Sequence, residues 1–256
     1  MNFNQIDQML CDLNTSRPLN SDELHRLKEE FMIDFTYNSN AIEGNTLTLQ
    51  ETALILNEGI TIGEKPLKDH LEAVGHKEAY YYMEELVKEK TPLSENIIKS
   101  IHHIVLLDKP ESKGVYRNVP GRIMGSVYEP PQPWEVPIQM EHLIKEYHSM
   151  NDVHIMEKVS LFHLKFERIH PFIDGNGRTG RLLLNMELMK AGYPPINVKF
   201  KDRRKYYECF ESYEYTKEPT QMTELIAEYA AEALERYLII VKAKNIQTKK
   251  ENIPNL

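Results

Sequence analysis

The chain has 256 residues, 41% hydrophobic and 27% charged, which is enough to bury a core in one large domain or two small ones. Its net charge of -8 excludes general nucleic-acid binding, which needs a basic surface. No apolar run approaches a membrane span, MNFNQIDQMLCDLN lacks the order of a secretory leader, and the separated Cys11 and Cys209 make no disulfide framework, so a cytoplasmic setting is expected. In chain order, SDELHRLKEEFMIDFTYNSN predicts a helix from a Ser21 cap, with Leu24, Leu27, Phe31 and Phe35 along one face. TLQETALILNEG opens with Thr48 and Glu51 in a capping-box pattern and stops at Gly59. Residues from about 66 to 90 carry a long helical pattern. TPLSENIIKSIHHIVLL starts another helix from Thr91, with Pro92 in the first helical position. VPGRIMGSVYEPPQP, residues 119–133, has Gly, Pro and β-formers without helical period, which predicts a short β-hairpin or extended flap. Helical patterns return in PWEVPIQMEHLIKEYHSM, DVHIMEKVSLFHLKFERIH, GRTGRLLLNMELMKAG and PTQMTELIAEYAAEALERYLIIVKAK. The closing NIQTKKENIPNL is polar and predicts a frayed tail. Without repeat or linker, this reads as one all-α domain: a helical arm over 1–90, a core over 91–240 and a polar tail over 241–256.

One short stretch, DGNGRTGR from Asp174 to Arg181, carries the chemistry. Its glycines fit G-x-G-x-x-G, and PPINVKFKD could supply a strand ending in an acidic residue, Asp202, at a suitable distance. A dinucleotide fold also needs alternating strands and helices, which the rest of the chain does not offer. The phosphate-loop reading lacks both the preceding strand and the closing Lys-Ser/Thr. A third reading starts at His170 and uses every residue. Gly175 and Gly177 permit positive φ and turn N–H groups inward as an anion nest, at the start of a helix near Asn176. Arg178 and Arg181, three apart, share a face of its first turn and can grip phosphates. Asp174 is a hard oxygen ligand suited to Mg²⁺. His170 has a pKa range that suits general-base work on a hydroxyl.

At this point the sequence resembles the Fic family. His170-Pro-Phe-Ile-Asp174-Gly-Asn-Gly-Arg178-Thr-Gly-Arg181 matches its signature H-x-F-x-[DE]-G-N-G-R-x-x-R at every fixed position. GVYR from Gly114 to Arg117, the flap, GYPP and RRKYYECF extend the likeness over roughly residues 35–235. The resemblance implies a helical bundle with a β-hairpin flap that transfers AMP from ATP, with Mg²⁺, to Ser, Thr or Tyr hydroxyls of target proteins and of itself. It implies His170 as base, Asp174 on the metal, and Gly175, Asn176, Gly177, Arg178, Thr179, Gly180 and Arg181 around the phosphates. Tyr206 and Tyr207 would lie by the adenine, and Phe172 under the loop. The flap, 119–129 with Met124, Gly125 and Ser126, would pin the target segment. Some relatives carry an Asn after the tyrosine pair, where this chain offers Glu211 or Glu214, so base preference stays open. Relatives also use dimers or larger assemblies, and neither a membrane nor nucleic acid is expected as a partner.

Ser39-Asn-Ala-Ile-Glu43-Gly44 matches the family's inhibitory motif [ST]-x-x-x-E-[GN]. Ser39 and Glu43, four apart, face the same way on a helix at about residues 36–44. The resemblance implies that Glu43 pairs with Arg181 and blocks the terminal phosphate. AIEGNTLTL is also close to metazoan relatives that remove AMP with the same glutamate, so removal, or transfer of another group, remains an alternative. The remaining candidates are read as structural: His102 and His103 as core or surface, His163 as lacking partners for zinc, Trp134 as flap packing, and YYYMEEL from Tyr80 as a helix face against the arm or another subunit.

Overall fold

The structure, a computed structural model, describes all residues except 1–2, 17, 124–127 and 252–256, with side chains described to residue 241. The described residues form ten α-helices and contain no β-strand: α1 Asn4–Thr15, α2 Ser21–Ile42, α3 Leu49–Glu58, α4 Leu67–Lys88, α5 Glu95–Val105, α6 Val136–Ser149, α7 Ile155–Ile169, α8 Asn176–Lys190, α9 Arg203–Thr216 and α10 Thr220–Glu251. None of the described helices is long and apolar enough to cross a membrane. Without a sheet among the described residues, the dinucleotide fold is overturned, and Asp202 ends a short 3₁₀ turn from Phe200.

Helix α8 is the axle. Almost every residue from Asn176 to Leu188 is buried, so this helix has no solvent face. Helices α4, α5 and α7 pack around it, and the C-terminal end of α2 reaches its first turns. One apolar cluster joins α2, α4, α5, α6 and one side of α7 and α8 through Phe35, Tyr80, Met83, Phe162, Phe166, Phe172 and Leu183. A second joins the other side of α7 and α8 to α9, α10 and α1 through Leu164, Leu184, Tyr206, Leu225 and Leu234. Tyr80 is core against Phe31 and Phe35 of α2, so the arm seats on α4.

Helix α3 starts and stops as its sequence dictates: Thr48 and Glu51 cap each other's N–H groups, and Gly59 closes the end at φ +67°. Other boundaries differ from the sequence reading. Asn20, not Ser21, caps α2 and forms a capping box with Glu23, and Leu24 is 39% exposed. Thr91 donates its N–H to Leu86 O and so closes α4; Ser94 caps α5. The flap is irregular wherever it is described, with no hairpin ladder, and Met124, Gly125 and Ser126 lie outside the described residues. Helix α10 continues to Glu251, through much of the stretch expected to fray.

Phe35, 1% exposed between Phe31, His76 and Tyr80, ties α2 to α4. Phe35→Ala is expected to lower the unfolding free energy by about 3–5 kcal/mol. Urea unfolding measures it, and a change of under about 1 kcal/mol would contradict this packing.

Candidate active site

The site begins where α7 ends. His170 is the C-cap, left-handed at φ +48°, with its N–H donated to Phe166 O at 3.0 Å. That conformation is uncommon outside glycine and needs support. Buried Arg117 supplies it. Its Nε donates to His170 O at 2.8 Å, its backbone N to Pro171 O at 2.9 Å, and its guanidinium also reaches Val119 O and Pro131 O at the flap base. The His170 ring pairs Nδ1 with Glu167 O at 3.3 Å, so Nδ1 carries the proton and Nε2 is left as an acceptor. Burial pushes the imidazole below its ordinary pKa and favours that neutral form.

The loop after His170 is held from beneath. Phe172 is fully buried and stacks on His102, ring centroids 3.6 Å apart and 4° from parallel. Gly114 N donates to His102 Nδ1, which fixes the proton on Nε2, and Nε2 donates to Asp174 O at 2.9 Å. Asn176 accepts from Phe172 N and donates to Phe172 O, each at 2.9 Å. The Asn176 side chain is therefore spent on shaping the loop, and the backbone N–H groups of the first turn are what α8 presents to an anion. Gly175 is left-handed at φ +75°, whereas Gly177, expected to be so, is helical.

Glycine at 177 and 180 serves a different need: room. A Cβ at Gly177 would lie 2.1 Å from Glu43 Oε1, and one at Gly180 would lie 2.3 Å from Glu167 Oε1. The bare side of α8's first turns thus admits two carboxyls, with Arg181 beside them. Arg181, 2% exposed, donates from Nε to Ser39 Oγ at 3.0 Å. Its Nη2 donates to Ser39 O at 2.7 Å and to Glu43 Oε1 at 2.8 Å. The sequence-predicted trio of Ser39, Glu43 and Arg181 is thus one contact, although 138 residues separate the acid from the base. Gly44 follows at φ +92° and ends α2, and Tyr207 Oη donates to Ile42 O at 3.0 Å from the facing helix.

Arg178 does not share this face. Residues three apart on a helix point about 60° apart, and α8 is enclosed on all sides. Arg178, 1% exposed, turns to Glu72 at 3.1 Å and Asp174 at 3.2 Å, and Thr179 is buried. Asp174 also accepts from Gly175 N at 2.7 Å and from Lys109, with Lys68 at 3.9 Å. Burial alone would raise its carboxyl, but the Lys109 hydrogen bond and the nearby cations bring it down to about 2. An ionised hard oxygen beside a helix N-terminus fits Mg²⁺, which is commonly held by one or two carboxylates plus phosphate oxygens. The described residues contain no cluster of three or more His, Cys, Asp or Glu that would make an all-protein site.

These groups open onto a cleft of about 730 Å³ lined by Glu43, Glu167, His170, Gly177, Arg181 and Tyr207, with Arg122, Ile123 and Tyr128 on the flap side. Its size suits a nucleotide-like ligand. Of the tyrosine pair, Tyr206 is buried with Oη 2.6 Å from His163 Nε2, so it forms floor. Tyr207, 43% exposed, is the ring free to stack. Glu214 is tied to Arg168, whose guanidinium lies 4.0 Å over the Tyr128 ring, and exposed Glu211 stands at the rim. Glu72, His102, Lys109 and Glu167 belong to this site without any local sequence pattern that marks them, and Arg117 is marked only by the GVYR run. For Glu72, His102, Lys109 and Arg117 the site partners lie more than 50 residues away, beyond the reach of any spacing rule.

Residues 92–188 match the Fic/DOC family. The protein adenylyltransferase Fic of Nematostella vectensis is 36% identical over 222 residues, 80% of this chain and 50% of that protein. That of Drosophila virilis is 37% identical over 189 residues, 72% of this chain and 38% of that protein. The chain thus spans half or less of the length of these curated relatives. A solved Fic domain-containing signaling protein from Bacteroides thetaiotaomicron has a TM-score of 0.86 at 28% identity, covering 93% of this chain and 98% of that one. Fic-1 of C. elegans, residues 134–508, has a TM-score of 0.83 at 27% identity, covering 94% and 72%.

Burial lowers the pKa of His102 to about 4 and of His163 to about 3. Both sit below the ordinary value of 6.5, so the unfolded chain binds the extra protons. Their contribution to stability is complete above pH 6.5 and is lost as pH falls toward 4. The urea midpoint is expected to drop across that window, less steeply in His102→Gln. A midpoint that holds or rises on acidification would contradict the neutral, buried histidines.

Proposed function

Because the chain belongs to the Fic family, we propose that it is a protein adenylyltransferase held in check by the end of its own α2. The observation that carries this reading is the convergence, in one cleft, of an unprotonated His170 Nε2, the α8 N-terminus and an Arg181 already occupied by Glu43. ATP would lie with its base by Tyr207 and its α-phosphate at the N–H groups of Asn176 and Gly177. Arg181 would take the terminal phosphate. A Ser, Thr or Tyr hydroxyl, held along the flap at 119–129, gives its proton to His170 Nε2 as its oxygen attacks the α-phosphorus. The bond to the β-phosphate bridge oxygen breaks, and pyrophosphate leaves. Asp174 would hold Mg²⁺, whose charge offsets that of the departing pyrophosphate. Little covalent help is needed for such a transfer, so positioning and charge carry it. The same cleft would accept the chain's own hydroxyls, and self-association remains part of the proposal.

The Glu43 pair is why the resting enzyme would idle: the guanidinium that should meet a phosphate meets a carboxylate. A second reading, AMP removal, rests on the half-exposed Glu43 carboxylate facing the same cleft as His170, where it could position a water. The two readings differ in sign at one residue, since Glu43 obstructs addition and is needed for removal.

Incubation with ATP and Mg²⁺ followed by intact mass distinguishes them. Glu43→Gly is expected to gain AMP, the parent protein to gain little, and Glu43→Gly with His170→Ala to fall by roughly 10²–10⁴ in rate. No added mass in any variant, with loss of AMP from pre-modified protein only when Glu43 is present, would favour removal.

A further inference from the structure

Glu167 enters the chemistry above only through its backbone carbonyl, yet its carboxyl lines the same cleft. It sits on the last turn of α7, three residues before His170. Its Oε1 is enclosed and has no hydrogen-bond partner. Gly180 makes the room for it, as Gly177 does for Glu43, so the two carboxyls stand over adjacent turns of α8 with Arg181 next to both. A second unsatisfied atom faces the same notch: His163 Nδ1 lies 3.1 Å from where a Gly180 Cβ would be. A buried acceptor left without a partner is costly and persists where another state of the site uses it.

The neighbouring charges indicate which state. Arg181 is a permanent cation, fully buried, and its other partner in α2, Ser39, is neutral. Glu43 sits on the end of a separate helix with its side chain 36% exposed, so it is the partner able to leave. Once it leaves and before a phosphate arrives, Arg181 would be a buried charge without a counter-ion, which is strongly unfavourable. Resting on the nucleotide reading above, we propose that Glu167 is a positioning residue for Arg181, the reserve counter-charge that holds the guanidinium when Glu43 withdraws and yields it to the nucleotide's terminal phosphate.

The proton balance follows from the surroundings. Facing Glu167 are Glu43 from the end of α2, Arg181 from α8, His163, Arg168 and His170 on α7, and Tyr206 and Tyr207 from α9. With Glu43 in place, burial and that like charge push the carboxyl up to about 8, against the pull of Arg181, so it is largely protonated near neutrality. When Glu43 withdraws, Glu167 releases its proton to solvent and pairs with Arg181. When a phosphate takes Arg181, Glu167 regains a proton from solvent, since two anions cannot share the guanidinium without repulsion.

The test is isothermal titration of a non-hydrolysable ATP analogue with Mg²⁺ into Glu43→Gly, in two buffers of different ionisation enthalpy. Glu43→Gly is expected to take up a fraction of a proton on binding, and its affinity to fall as pH rises. Adding Glu167→Gln should remove that uptake, tighten binding several-fold and flatten the Glu167 part of the pH dependence. Adding Glu167→Asp, which keeps a carboxyl, should retain the uptake, and melting curves confirm that each variant is folded. Binding with the same proton uptake and affinity whether residue 167 is Glu or Gln would overturn the role of Glu167 and leave the nucleotide site standing. Absence of binding in every folded variant would overturn both.

Discussion

A charged guanidinium that cannot reach water organises this molecule. Arg181 is 2% exposed, and removing one partner from a buried pair costs on the order of 3–5 kcal/mol when the remaining charge is left alone. The half-exposed Glu43 puts this pair toward the low end, because solvent screens the acid. Even so, Arg181 needs an anion in every state of the protein. A carboxylate and a phosphate are both adequate, so exchanging one for the other changes the total energy far less than losing either. On the proposed function, that near balance would let a single contact serve as a switch as well as part of the fold.

The geometry around the switch is fixed by interactions from far along the chain. Two glycines in α8 withhold their side chains so that carboxyls can approach. Arg117 holds His170 in a left-handed conformation, and the stacked pair of His102 and Phe172 supports the loop from beneath. His170 thus keeps its tautomer through Glu167 O, while the Asn176 side chain is consumed in holding Phe172. The other wall is the end of α2, which stops at Gly44 and is tethered through Ile42 O to the hydroxyl of Tyr207.

Much of this was legible beforehand, and the misses share a cause. Short spacings carry meaning where that meaning is local: Ser39 and Glu43 share the side of α2 that meets Arg181, and the Thr48–Glu51 box caps α3 as its pattern dictates. Direction is not local. Arg178 and Arg181 look equivalent in sequence, but one turns to Glu72 and the other to Ser39 and Glu43, because different helices cover each side of α8. Tyr206 and Tyr207 likewise divide into floor and wall. Cap positions slipped where two residues were equally able to cap, as with Asn20 and Ser21, or where a preceding helix claimed the candidate, as α4 claimed Thr91. His102 and Glu167 carried no signal, since each matters through a contact made only after folding.

On the proposed function, Glu43 stands where a nucleotide's terminal phosphate would meet Arg181. Equilibrium binding of ATP and of AMP to the parent protein and to Glu43→Gly tests it most directly. The substitution is expected to strengthen ATP binding by a large factor and to leave AMP binding nearly unchanged, because only ATP carries a terminal phosphate to Arg181. Equal gains for the two nucleotides, or no gain for ATP, would contradict it.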